Sequence, residues 1–388
     1  MERITDDLHK RVRKTKRTSN HWGRVNMSKR LGAIHPIQLF FLTYMMQTSV
    51  AIFILPRSIS EAFGTNSWIM LIVLSGIVMV NIFLFQLVYK KGDGMSVFEI
   101  MNVTLPRMIT FPLYIVFAVS WSISASLILK EYIYIIQLVA FPTTSFLYLL
   151  GVLIIVVLFF MQYPIYKMIR AAGVLFGLAS VTILLTVFIW PDFSFDRLTP
   201  FIFKGTNVSF DWLTIIDQYR PFLGFELCLF LFPYVTKDSH LFRSFYLGNA
   251  FTTFIYVYTV VLCLGFYSFD QLQHIIYPTL HFFSFIEFPF LIRIENLVYS
   301  IFLVKALVTA VFYYWISKQA IQQMIKRESK FWLPLCIIAF SVFITYPFTT
   351  KQELELSLRF AGRFQSVLIF VLPLLLLLLL YIQKKVRK

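Results

Sequence analysis

Between Arg107 and Lys130 the chain runs for 22 residues without a single charge. A helix of about twenty apolar residues crosses the hydrocarbon core of a bilayer, so this stretch alone restricts the folds available. The pattern recurs. Segments bounded by charge or proline mark ten candidate spans: 36–63, 67–89, 108–129, 145–163, 171–190, 213–236, 244–269, 296–317, 331–348 and 364–383. The expected fold is an all-α polytopic membrane protein of about ten transmembrane helices. Composition agrees, since 59% of the 388 residues are hydrophobic and only 14% are charged. A soluble domain of that composition would expose too much apolar surface. Residues 130–144 either extend the third span or lie in the interface. The connections 191–212 and 270–292 mix aromatic and polar residues and are expected to hold short surface helices.

The net charge of +16 is concentrated at the ends. Residues 1–35 carry ten Lys/Arg against three Asp/Glu, and residues 384–388 carry four basic residues. Beside a membrane bundle such tails mark the cytosolic side and an anionic leaflet rather than nucleic acid. The expected organisation is a disordered basic cytosolic tail (1–35), a ten-helix permease-like domain (36–383) and a basic cytosolic C-terminus (384–388). With ten spans both termini share a side. That side collects 25 Lys/Arg and the other 7, counting Lys130 as a loop charge, so the positive-inside rule puts both termini in the cytosol. The long polar lead and the lack of a small-residue cleavage site argue against a signal peptide. Cys228, Cys263 and Cys336 stand alone in apolar runs, and the six histidines form no ligand cluster. No P-loop, hydrolase or metal motif is present. No cofactor, metal or enzymatic chemistry is expected.

Three basic residues fall inside the spans: Arg57, Arg220 and Lys305. Arg57 lies four residues from Glu61, the spacing of a local helix pair. Arg220 lies toward the outer part of its span. Lys305 and Glu226 fall near the centres of spans 296–317 and 213–236. A charge there costs about 2.5–3.5 kcal/mol on insertion scales and faces a bundle interior or an aqueous cavity. Either Glu226 and Lys305 pair with each other or with nearby polar groups and hold helices together, or they line a ligand or ion site.

Backbone signals favour a site. The sixth span contains Pro221, Gly224 and Pro233, and the first contains Gln47, Thr48 and Ser49 above Pro56. Proline removes a donor and glycine tolerates unwinding, so both read as interrupted helices. Pro56 and Pro233 lie 177 residues apart, about half the membrane part. Broken helices at matching places in two five-span halves point to a 5+5 inverted repeat that binds substrate at the breaks. In the eighth span Lys305, Thr309 and Tyr313 recur at i, i+4 and i+8 on one face. Ser120, Ser122, Ser124 and Ser126, with Trp121, face either a cavity or a neighbouring helix.

These pieces resemble the spore germination permease family, the B subunits of nutrient germinant receptors in endospore-forming bacteria, within the amino acid–polyamine–organocation superfamily. The likeness covers about residues 34–383. It rests on HPIQLFF at the start of the first helix, ILPR (54–57), SVFEI (96–100), FLGFELCLFLFP (222–233) and FPFLIRIENL (288–297), in that order. The resemblance implies discontinuous first and sixth helices, with a small germinant, often an amino acid, bound at their breaks against the third and eighth helices. It also implies A and C partner subunits in the spore inner membrane, and ion release rather than uptake. The matching positions are Ser49, Val50, Ala51, Leu223, Gly224, Glu226, Thr309 and Tyr313. With Thr48 and Lys305 from the residue reading, these are the candidate ligand-binding residues. Where the family commonly has Gly-x-Gly, this chain has Ser49-Val50-Ala51, and its midplane Lys305 replaces a position often uncharged. The chain is therefore expected to sense a different ligand or to serve as a scaffold subunit that has lost sensing. Plain secondary amino acid transport is the remaining alternative. Glu226 is expected to face the central cavity near Lys305, pairing with it or binding the cationic part of a ligand.

Overall fold

The computed structural model describes residues 34–198, 211–235, 239–286, 294–325, 331–348 and 350–387. The expected tail, most of FPFLIRIENL and part of the 191–212 connection lie outside them. Among the described residues every regular element is helical. In chain order these are α1 (Pro36–Gln47), α2 (Leu55–Phe63), α3 (Ser67–Lys91), α4 (Val97–Thr104), α5 (Arg107–Val139) and α6 (Phe146–Phe160). Next come α7 (Ile165–Leu185), α8 (Trp212–Tyr219), α9 (Leu227–Phe230), α10 (Leu241–Tyr267), α11 (Phe269–His274) and α12 (Pro278–Phe283). The chain ends with α13 (Ile294–Ile325), α14 (Trp332–Thr345) and α15 (Lys351–Arg387). Among the described residues six helices are long and apolar enough to cross a membrane: α3, α5, α7 with its 3₁₀ extension to Asp192, α10, α13 and α15. α6 and α14 are shorter and apolar. The protein is a multi-pass membrane protein.

Two of the sequence motifs are helix starts. His35 caps α1, accepting the Ile37 N–H on Nδ1 at 3.3 Å while Gln38 accepts the His35 N–H at 3.3 Å. Pro36 follows at the first turn, where its missing N–H has no intrahelical partner to lose. Ser96 and Glu99 form the same reciprocal box at α4, at 3.1 and 2.8 Å. HPIQ and SVFE thus satisfy backbone donors that a helix start leaves orphaned.

α5 and α13 pair along their length at the centre. α1 packs on α10 and α7, α10 on α3, and α15 crosses α5 and α3. The outward faces carry bare apolar side chains such as Ile72, Phe83, Ile155 and Phe343. On a membrane protein these meet lipid.

The structure corrects several boundaries. Residues 130–139 continue α5 rather than lying in the interface. Lys130 is therefore no loop charge: it is buried, and its ammonium donates to Thr345 O at 2.6 Å and Phe348 O at 2.9 Å. It closes the carbonyl end of α14, which its own turn cannot satisfy. The helix that covers the segment expected at 364–383 starts at Lys351, well before 364. α12 is no surface helix, because Thr279, Phe282 and Phe283 are buried and Thr279 donates to Ile52 O at 2.8 Å. Arg57 and Glu61 do form the local pair, at 2.6 Å.

Candidate functional site at two helix breaks

Both expected breaks are present. α1 stops at Gln47 because Thr48 turns its hydroxyl onto Tyr44 O at 2.7 Å and Ser49 takes ψ −141°, outside helical geometry. A 3₁₀ turn over Val50–Phe53 leads to α2. In the sixth segment α8 gives way to a 3₁₀ turn at Arg220–Phe222, then to Leu223 at ψ 152° and Gly224 at φ 118°. Only glycine visits that φ without strain. A side chain at 224 would also place Cβ 2.9 Å from Met46 Cβ. The two breaks therefore touch each other, and Gly224 permits the approach.

Side chains from α10 bind both breaks together. The Tyr256 hydroxyl lies 2.6 Å from Gln47 O and 2.9 Å from Pro221 O, so one hydrogen serves a carbonyl of each. Gln47 Nε2 donates to Phe222 O at 2.8 Å and to Asn249 Oδ1 at 3.1 Å. Asn249 in turn donates to Ser75 Oγ of α3 at 2.9 Å. These bonds satisfy backbone oxygens that the interruptions free, as a membrane interior requires.

Glu226 has a local task. Its Oε2 accepts the Gly224 N–H at 2.6 Å, and its Oε1 accepts Gln365 Nε2 at 3.2 Å. The side chain is 1% exposed, with Tyr313 and Trp121 beside it. It holds the broken backbone to α15. It does not pair with Lys305: the expected charge pair is absent, and nearby polar groups, the other structural alternative, take its place. Lys305 Nζ lies 3.4 Å from the Tyr44 hydroxyl and 4.8 and 4.4 Å from the ring centres of Tyr44 and Phe302. Its amino group rests on aromatic faces.

A cavity of about 70 Å³ opens beside the breaks. From the first break Gln47, Ser49, Val50 and Ala51 line it; from the sixth, Arg220, Pro221 and Leu223. α5 contributes Ser124, Ile128 and Glu131, α13 contributes Thr309 and Tyr313, and α15 contributes Leu358, Ala361, Gly362 and Gln365. Thus Ser49, Val50, Ala51, Leu223, Thr309 and Tyr313 line one cavity. Thr48, Gly224 and Glu226 stand behind the wall. Lys305 faces a second cavity of about 20 Å³, with Thr182, Thr186 and Thr279. The α13 stripe therefore serves two cavities. The serines of α5 divide likewise: Ser124 bonds Gln365 Oε1 at 3.1 Å in the first cavity wall, while Ser126 meets Thr345 of α14 at 2.8 Å.

Sequence reasoning missed Glu131, Gln365 and Gly362, and set Arg220 aside as peripheral. Ending the third span at Lys130 hid Glu131. With the helix run on, Ser124, Ile128 and Glu131 fall at i, i+4 and i+7 on one face. Nothing local in the sequence marks Gln365 or Gly362, which reach the cavity through the docking of α15. Next along α15 from Gly362, Arg363 holds Asp217 of α8 by two bonds of 2.6 Å.

The profile of the family described as spore germination protein matches residues 33–353. The chain belongs to the spore germination protein family. Spore germination protein GerQB of Bacillus cereus is 24% identical over 349 residues, 88% of this chain and 94% of that protein. Spore germination protein A2 of Bacillus subtilis (strain 168) is 23% identical over 350 residues, 86% of this chain and 91% of the relative. Spore germination protein B2 of the same organism is 22% identical over 239 residues, covering 61% and 64%. The match runs through both breaks and most of the cavity wall.

Proposed function

We propose that this chain is the integral-membrane B subunit of a nutrient germinant receptor, which senses a small, amino acid-like nutrient and triggers germination. The observation that carries this is the meeting of two helix breaks at one cavity lined by three further helices, α5, α13 and α15, with polar and apolar side chains. Interrupted helices near the midplane place backbone groups where a small polar solute is held. In this reading the two broken segments join the six long helices and the two shorter apolar ones in a ten-span frame, a 5+5 inverted repeat with discontinuous first and sixth helices. Both termini face the cytosol of the spore inner membrane, and the chain works with receptor A and C subunits without enzymatic chemistry of its own.

Binding drives the response by favouring one arrangement of the breaks over another. Spores lacking the gene are expected to lose dipicolinic acid release toward one nutrient class in a panel of amino acids, nucleosides and sugars. An unchanged response to all of them refutes the receptor reading. Uptake of labelled amino acid into proteoliposomes by this chain alone would instead establish the transporter alternative, since one fold serves both tasks.

A further inference from the structure

Seventeen residues line the larger cavity, and Glu131 and Arg220 are the charged ones among them. They come from different elements, α5 and the 3₁₀ turn after α8. Among the described residues no ion pair within 4.0 Å joins them. Arg220 Nη1 is buried and has no hydrogen-bond partner there. The same is true of Ser49 Oγ and Gln47 Oε1 on the same wall. A buried guanidinium N–H without an acceptor is costly, and a planar donor fork matches a carboxylate. The walls otherwise offer neutral hydroxyls, amides and apolar groups.

Arg220 is held in place by a missing side chain opposite. A Cβ at Gly362 of α15 would lie 2.7 Å from Arg220 Cδ and 2.9 Å from its Cγ. The arginine stem thus lies flat against the glycine. The first break, by contrast, presents Ser49, Val50 and Ala51, whose side chains crowd direct approach to that backbone. The volume of about 70 Å³ holds roughly five waters by the measure in which one needs about 10–15 Å³, the room of a compact solute.

We propose that Arg220 and Glu131 are the specificity-determining pair of this cavity: Arg220 takes the anionic group of a small zwitterion and Glu131 its cationic group. The inference rests on the cavity being the nutrient site, and it names the side chains that select the nutrient. The carboxylate supplies the acceptor that the guanidinium lacks, and the ammonium supplies the counter-charge for Glu131. Solutes with only one of the two charges leave the other group unmatched.

The test uses spores carrying the full receptor, with dipicolinic acid release measured against the twenty standard amino acids, their decarboxylated amines, their deaminated acids, glucose and inosine. An amino acid is expected to act through this chain while its amine and its deaminated acid do not at the same concentration. Arg220→Gln and Glu131→Gln should each raise the half-saturating concentration at least tenfold, with the chain still present by immunoblot. Gly362→Ala should raise it too by pushing Arg220 aside without altering any charge, and it carries the test if either Gln variant fails to accumulate. Half-saturation within twofold of wild type in these variants overturns the proposal. A response to glucose or inosine alone, abolished by a cavity-filling Thr309→Trp, overturns the zwitterion while leaving the cavity as the nutrient site. Thr309→Trp spores that respond normally to every probe overturn both.

Discussion

Glu226 shows how a costly residue can be local in purpose. A carboxylate in a membrane interior invites a counter-charge, yet its partners are an amide side chain and the N–H of Gly224 two residues away. The broken helix creates that orphan donor and Glu226 accepts it. Replacing Glu226 by Leu would leave two buried donors without acceptors, at about 1–3 kcal/mol each. The expected outcome is a lowered unfolding midpoint for Glu226→Leu in detergent. Glu226→Gln should fall between it and wild type, because an amide oxygen serves one donor while its nitrogen opposes the other. Equal midpoints for Leu and wild type would contradict this account of the carboxylate. Lys305 solves its burial differently, with aromatic faces and one tyrosine hydroxyl.

Among elements, the closest coupling is between the two breaks. Gly224 lets the sixth segment touch Met46, and Tyr256 of α10 bridges Gln47 O and Pro221 O with one hydroxyl. Neither break can move without disturbing the other or α10. Tyr256→Phe keeps the ring and removes only that hydroxyl, freeing two buried carbonyls. A loss of roughly 1–3 kcal/mol is expected, visible as a lower unfolding midpoint. If the breaks form the sensing site, the half-saturating nutrient concentration should shift as well, while the amount of chain in the membrane stays near normal. A variant with wild-type midpoint and dose-response would show that the bridge carries no coupling. The Asp217–Arg363 pair between α8 and α15 is more exposed, with side chains 16% and 37% accessible, so its contribution is expected to be about 1 kcal/mol or less.

For the whole molecule, length and connection matter more than any single bond. α5 runs 33 residues and α13 runs 32, and their pairing forms the spine on which the breaks rest. α14 has only 14 residues. Its carbonyl end is finished by Lys130 from α5, so a basic side chain on one helix completes another. Lys130→Met should cost about 1.5–3 kcal/mol, the range for hydrogen bonds to a charged group. It should also hasten proteolytic cleavage after α14 in purified protein. Cleavage at the wild-type rate would assign the end of α14 to other contacts.

By itself the sequence determined the class, the helical segments and the positions of both breaks. These depend on local chemistry: runs without charge, capping residues at HPIQ and SVFE, prolines, and a glycine where the chain must turn. It also named six of the lining residues: spacing along one helix face relates Thr309 and Tyr313, and the family resemblance supplied Ser49, Val50, Ala51 and Leu223. Only the tertiary structure decided which buried charges meet. Glu226 and Lys305 share a depth in the sequence reading but face different surroundings, since depth along a helix says nothing of its rotation or of its neighbours. Glu131, Arg220 and Gly362 reach one cavity through the docking of α5, the sixth segment and α15. That docking is set by the packing of helices far apart in the chain, where no short pattern of residues records it.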